Sequence, residues 1–296
     1  MGNSRQLWAA AAPGIFVLLW STGFIGARMG LPHAEPFIFL AYRFGILAVL
    51  LAAAGLIWRA PWPESWGQAG HLAVVGLLMH GAYLGGVFWA ISVGITAAVS
   101  ALIVGIQPLL IAVAAGPYLG EKVSVRQWIG LLVGFGGVAL VVGGDAVSDG
   151  GNLAGIISCI VALFGLTFGT LYQKRHGANM DWRTGSAIQF AAAATAMFIL
   201  TLVFEEGRVE WTGEFIFAIV WLIVVLSIGA MTLLFMLIRQ GAASKVSSLF
   251  YLVPPVVAVE AYYLFDETMT LFDIAGMLVA MAAVALVLRS GSGQGK

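Results

Sequence analysis

Three ionisable side chains interrupt otherwise apolar runs of this 296-residue chain: Arg43, His80 and Glu260. At membrane depth each costs a few kcal/mol by insertion scales, so each needs a reason to be there. Arg43 can contact an anionic group such as a solute carboxylate, or it can pair with helix ends and snorkel to water. Glu260 can hold a proton or a solute amine, or it can be an interface residue that reaches water. His80 can donate and accept, and it titrates near physiological pH; the plainer reading is a hydrogen bond to a neighbouring backbone carbonyl. Tyr83 lies three residues on and shares its helix face. Aromatic residues recur at similar depth, counted at about 1.5 Å per residue from the span ends: Trp20, Phe24, Tyr83, Phe164, Phe168 and Tyr251. Such a set can line a wet cavity and stack on a flat solute, while any one of them also suits ordinary packing. Pro108 and the pair Pro254-Pro255 lack amide donors and bend the helix that holds them, either as hinges or as static bends.

The elements that position these groups follow from composition. The chain is 61% hydrophobic and 9% charged, against roughly 25% charged in a soluble domain, so the bilayer is the solvent that fits. A net charge of zero gives no footprint for nucleic acid. The single cysteine, Cys159, allows no intramolecular disulfide. No metal-ligand or cofactor motif stands out, and no Walker A pattern is present. A spanning helix needs about 20 apolar residues, which gives ten spans at 11–29, 35–57, 68–90, 95–116, 124–143, 152–173, 184–204, 213–238, 242–264 and 271–289. The break with the weakest signal is Ser92 to Ile95, which carries no charge. The first run extends too far to be a cleaved signal peptide, so it reads as an uncleaved span. With the N-terminus in the cytoplasm, most Lys and Arg fall at the inner ends. The expected location is therefore a bacterial inner membrane with both termini cytoplasmic.

A shift of 146 positions lays the chain on itself. Arg43-Phe44 falls on Gln189-Phe190, Pro108 on Pro254, Glu121 on Glu267 and Gly130 on Gly276. This predicts two repeats, residues 1–148 and 149–290, followed by a flexible tail, 291–296. Five spans per repeat is an odd number, so the second repeat is inverted. The expected fold is thus all-α, with ten transmembrane helices in two inverted five-helix repeats. Inverted repeats are the architecture of many secondary transporters, with the site near the midplane between halves.

Leu19-Trp20-Ser21, Arg43, Thr96-Ala97-Ala98, Pro108-Leu109, Gly120-Glu121 and Gly130, with Pro254, Asp266-Glu267 and Gly276, resemble the drug/metabolite transporter superfamily, EamA-type ten-helix branch. Within that branch the chain looks most like bacterial exporters of aromatic and other neutral amino acids, with His80-Gly81-Ala82-Tyr83 contributing to the likeness. One departure is Phe164, where the resembled proteins often carry tryptophan. The resemblance implies that spans one, three, four, six, eight and nine line a central cavity. Their polar members are Ser21, Thr22, Ser100, Gln107, Thr167, Ser244 and Ser248. The expected substrate site is Trp20, Ser21, Phe24, His80, Tyr83, Ser100, Gln107, Phe164, Thr167, Phe168, Ser244, Ser248 and Tyr251. His80, Glu260 and Arg43 are candidates for ion or proton coupling. The implied activity is export of small metabolites, foremost amino acids, by alternating access. Export of other small organic metabolites or drugs, or a channel-like or non-transporting role, are the alternatives. No enzyme motif is recognisable, the partners are a small solute and lipid, and a monomer is compatible with the sequence.

Overall fold

The computed structural model describes residues 2–119, 125–148, 152–177, 180–230, 233, 237 and 248–291. The described residues are almost wholly helical. In chain order the helices are α1 (Gly2–Gly30), α2 (Pro36–Ile57), α3 (Trp66–Gly76) and, after a π-helical segment (Leu77–Ala82), α4 (Tyr83–Ser92). Next come α5 (Ala97–Gly105), α6 (Gln107–Leu119), α7 (Val125–Ser148), α8 (Leu153–His176), α9 (Trp182–Phe204) and α10 (Gly213–Trp221). A second π segment (Leu222–Ala230) extends α10, and a 3-10 turn (Ser248–Leu252) leads into α11 (Val253–Phe265), followed by α12 (Leu271–Gly291). Six stretches are long and apolar enough to cross a membrane: Ala11–Gly30, Pro36–Ile57, Trp66–Ser92, Leu153–His176, Trp182–Phe204 and Gly213–Ala230. Shorter apolar helices, Ala97–Ile111, Trp128–Leu140, Val253–Phe265 and Leu271–Ala283, fall on the other four expected spans. The uncharged break after Ser92 is real. Gly94 adopts φ +106 there, which an L side chain rarely adopts, and Thr96 then caps α5 by accepting from the Val99 N–H at 3.2 Å.

The chain packs as two compact units. One holds Met1–Gly26, Thr96–Asn152 and Val220–Lys296; the other holds Ala27–Ile95 and Leu153–Ile219. Each unit draws on both sequence halves. In the first unit α7 and α12 pack along their lengths. These are repeat mates, and at Gly137 their backbones approach so closely that an added Cβ would lie 2.6 Å from Gly276 O. In the second unit the mates α2 and α9 pack in the same way. Lipid tails are as apolar as leucine, so close backbone approach at small residues, rather than burial of apolar area, holds such pairs together. The interhelical bond from Ser158 Oγ to Gly86 O, 2.9 Å, adds about 0.6 kcal/mol on the average for membrane proteins. The core of this unit includes an edge-to-face aromatic cluster in which Phe39 meets Phe88 at 5.3 Å and Phe215 at 5.0 Å.

Two irregularities coincide under the repeat shift. The π segment Leu77–Ala82 maps onto 223–228, inside the second π segment. The break between α5 and α6 at Ile106 maps onto Leu252, where α11 begins. π-Helical turns leave slack in the ladder and often mark functional positions. In the second of them the Ser227 hydroxyl donates to Leu222 O at 2.9 Å.

The N-terminus of α2 is capped from a distance. Pro36 lacks an N–H, and the Phe37 and Ile38 amides donate to Glu205 Oε1 and Oε2 at 2.7 and 2.9 Å. Glu35 returns the favour by accepting from the Arg208 N–H at 2.8 Å. Burial pushes the Glu205 carboxyl above its ordinary range, and the Phe37, Ile38 and Thr201 bonds work against that shift. A carboxyl raised in the fold holds its proton more tightly folded than unfolded. Its stabilisation is therefore full below the unfolded value and is lost as pH rises through the folded value. Glu205→Gln keeps an acceptor and is expected to flatten this drift in a thermal-unfolding series against pH. Glu205→Ala orphans both donors and is expected to cost about 1–2 kcal/mol at every pH.

Candidate functional site

The first unit gathers Trp20, Ser21 and Glu260. Ser21 is fully buried on α1, and its Oγ lies 2.8 Å from Leu18 O and 2.8 Å from Glu260 Oε1 on α11. One hydroxyl hydrogen cannot serve two acceptors. If Ser21 donates to Leu18 O, the second short contact requires a hydrogen on Glu260. The other carboxyl oxygen, Oε2, is buried with no hydrogen-bond partner among the described residues. The contact joins α1 to α11 through a carboxyl that lies within an apolar run.

An aromatic wall begins at Trp20, the residue before Ser21 on α1. Trp20 packs at 5.4 Å from Phe16 and 5.1 Å from Phe250, edge-on to the latter, and Phe16 meets Phe250 at 5.4 Å. Thr22 accepts from the Trp221 indole N–H at 2.9 Å, and Phe24 is buried. In the same unit the two helix breaks meet, because an added Cβ on Gly105 would lie 3.1 Å from Pro254 Cγ. Gln107 opens α6 just past the break and is half-buried; Ser100 is buried on α5. Pro254 is buried, and Pro108 and Pro255 are half-buried. Ser244 lies outside the described residues, as do the tail beyond Gly291 and the side chains of Ser248 and Tyr251.

The second unit gathers Arg43, His80 and Tyr83. Arg43 is buried on α2, close enough for its charge to act on both His80 and Tyr83. His80 sits on the first π segment, stacks on Phe190 at 4.2 Å and hydrogen-bonds Gln189. Gln189 in turn donates to Gln173 Oε1 at 3.0 Å. The repeat mates Arg43-Phe44 and Gln189-Phe190 thus enclose one imidazole, with Phe44 at 5.9 Å from it. Phe164 and Phe168 are exposed and stack on each other at 6.0 Å. Thr167, between them, is buried, and its hydroxyl is spent on Leu163 O at 2.7 Å.

Sequence reasoning missed Phe16, Phe250 and Trp221. Phe250 precedes Tyr251, which was chosen by depth, and depth counting cannot tell which of two adjacent aromatics faces the wall. Phe16 lies one turn before Trp20, and that i, i+4 spacing was the available signal.

Apolar helices of spanning length, broken at matching positions in the two halves, mark a polytopic membrane protein. The EamA-like transporter family matches the chain twice, over residues 8–143 and 153–289, and the protein belongs to that family, a branch of the drug/metabolite transporter superfamily. It is similar to a Bacillus subtilis (strain 168) protein named "Uncharacterized transporter YvbV", 26% identical over 277 residues that cover 92% of this chain and 88% of that one. It is also similar to a Salmonella typhimurium protein named "Probable amino-acid metabolite efflux pump", 23% identical over 284 residues, 91% of each chain. A solved crystal structure shares the fold, with a TM-score of 0.64 at 19% identity over 97% of this chain and 99% of that one.

Proposed function

We propose that the protein is a secondary exporter of amino acids, aromatic or other neutral ones, that works by alternating access with both termini in the cytoplasm. The observation that carries this reading is the Ser21–Glu260 pair beside the Trp20, Phe16 and Phe250 wall. A carboxyl that holds a proton in one state can exchange it for a solute ammonium in another. Aromatic faces next to it suit a flat or apolar side chain. The coincident breaks at Ile106 and Leu252 support hinge positions at the prolines that follow them. The repeat supports two arrangements of similar energy, one open to each side. The name of the Salmonella relative supports the amino-acid class. His80, enclosed by Phe190, Phe44 and Gln189, reads as the organising centre of its own unit, and Glu260 is the coupling group.

The test is counterflow in proteoliposomes loaded with unlabelled amino acid. Labelled phenylalanine, tryptophan and leucine outside are expected to accumulate transiently above equilibrium. A channel equilibrates without overshoot, and absence of exchange with every amino acid tried removes the substrate assignment.

A further inference from the structure

Ser21 has a neighbour whose hydroxyl is also engaged, and the two hydroxyls reach different helices. Ser21 Oγ meets Glu260 Oε1 on α11 at 2.8 Å. Thr22 Oγ1 meets the indole nitrogen of Trp221, the last residue of α10, at 2.9 Å. Successive residues on a helix point about 100° apart, so α1 touches α11 on one side and α10 on the next, each through one hydroxyl. We propose that Thr22 is a positioning residue: held by Trp221, it fixes the rotation of α1 at which Ser21 reaches Glu260, and it ties that contact to the π segment that follows Trp221. This role presupposes Glu260 as the coupling group.

Chemistry fixes the hydrogen-bond roles at Thr22. An indole N–H can only donate, so Thr22 Oγ1 accepts from it. The single hydroxyl hydrogen then goes to Leu19 O, which lies at 2.6 Å. One oxygen is thus held from α10 and from the preceding turn of α1 at once. The β-branched side chain of Thr22 has few rotamers on a helix, so a turn of α1 about its axis breaks the link instead of bending it.

Packing on the same face sets distance and not rotation. An added Cβ on Gly26, one turn after Thr22, would lie 2.7 Å from Leu222 Cδ2, and one on Gly23 would lie 3.0 Å from Leu226 Cδ2. Both leucines belong to the second π segment. The atoms met are the far ends of flexible side chains, against which a glycine face can slide. The indole–hydroxyl bond is directional and does not slide. Trp221 therefore pins α1 at the point where α10 gives way to π turns. Exchange of i→i+5 bonds for i→i+4 bonds within that segment turns Trp221 relative to the segment's far end, and the pin carries the turn to Ser21.

The second unit repeats the packing without the hydroxyls. α8, the first helix of the second repeat, lies against the first π segment, where an added Cβ on Gly165 would lie 3.0 Å from Leu78 O and 2.8 Å from Ala82 Cβ. The first helix of one repeat thus rests on the π segment of the other repeat in both units. Gly165-Leu166 follows Phe164 where Ser21-Thr22 follows Trp20, so the hydroxyl pair belongs to α1.

The experiment is labelling of the purified full chain with a hydrophobic carbodiimide at fixed pH. Mass spectrometry scores the peptide that carries residue 260, with E260Q as the blank. T22V removes the acceptor and W221F the donor, and either change releases Ser21 from the carboxyl. Labelling of Glu260 is expected to rise about threefold or more in each variant, the scale of one hydrogen bond. T22S keeps the hydroxyl and is expected to label as the wild type does. The double variant T22V/W221F is expected to match the single ones, because all three lack the same link. Glu205, half-buried in the other unit, is the internal reference and is expected to stay unchanged. Wild-type labelling of Glu260 in T22V or W221F overturns the proposal. So does a rise in T22S, or an equal rise at Glu205, which marks general loosening. W221F keeps the test decisive if T22V fails to fold. The readout needs no solute, so absence of counterflow with every amino acid removes the substrate assignment and leaves this result to stand or fall alone.

Discussion

Glu260→Gln is expected to remove the pH dependence of efflux and to lower its rate at neutral pH at least tenfold, while the protein folds normally. Glutamine matches glutamate in shape and still reaches Ser21, which sits 2.8 Å from the carboxyl. It also fills the place of the buried Oε2 with a neutral group, so stability should change by less than about 1 kcal/mol. Glutamine cannot take up or release a proton, and it cannot form an ion pair with a solute ammonium. A tenfold loss corresponds to about 1.4 kcal/mol in the limiting barrier, a modest demand on a charge-assisted contact. Ser21→Ala supplies the contrast. It removes the hydroxyl partner and leaves the carboxyl, so the pH profile is expected to move along the axis while efflux persists. Both are measured as initial efflux rates from proteoliposomes at a series of pH values, normalised to reconstituted protein. A Glu260→Gln profile that overlays the wild type would remove Glu260 from the coupling step.

The reason Glu260 could be found at all is that a charge inside an apolar run has no cheap explanation. Its partner was not legible in the same way. Ser21 lies 239 residues away, and nothing in the residue pattern paired the two. The spans themselves were legible because apolar length is dictated by the bilayer. The second span, expected at 35–57, is Pro36–Ile57, and the seventh, expected at 184–204, is Trp182–Phe204. The sixth runs three residues past its expected end at 173, through Lys174, Arg175 and His176. Those basic residues were read as a loop, yet cations are favourable in the last turn of a helix. Pro108 announced a bend, but the break itself falls at Ile106, where the turn before the proline loses its donor. The π segments left no mark in the residue pattern, since they depend on how neighbouring helices fit. Nor did the pattern show that each compact unit would draw on both repeats. Repeat mates such as α2 and α9 find each other by surface fit, which a one-dimensional shift does not encode. Thr167 shows the limit for single polar residues: its type suited a wet wall, but its hydroxyl serves the helix's own carbonyl.

The fit between α3 and α9 yields the second large effect. Gly76 closes α3 just before the π segment that carries His80. A Cβ at this position would lie 2.1 Å from Gln189 O and 2.6 Å from Gln189 Cα. Both atoms belong to the backbone of a long helix, which cannot swing aside as the end of a side chain can. Gly76→Ala therefore forces α3 and α9 apart by more than an ångström, and dispersion contacts along the interface fall away steeply with such a gap. The same displacement pulls on the His80–Gln189 bond and the stack on Phe190, so packing and the polar network fail together. The expected cost exceeds about 3 kcal/mol, beyond the usual range for overpacking, and should appear as lost monodisperse protein or a sharply lowered Tm in detergent. Gly45→Ala, on α2, is the control, because nothing lies within 4 Å of the added carbon. There the higher helix propensity of alanine acts alone, and Tm should hold or rise. If Gly76→Ala unfolds at the temperature of Gly45→Ala, the two backbones do not approach this closely and the packing assigned to this unit is wrong.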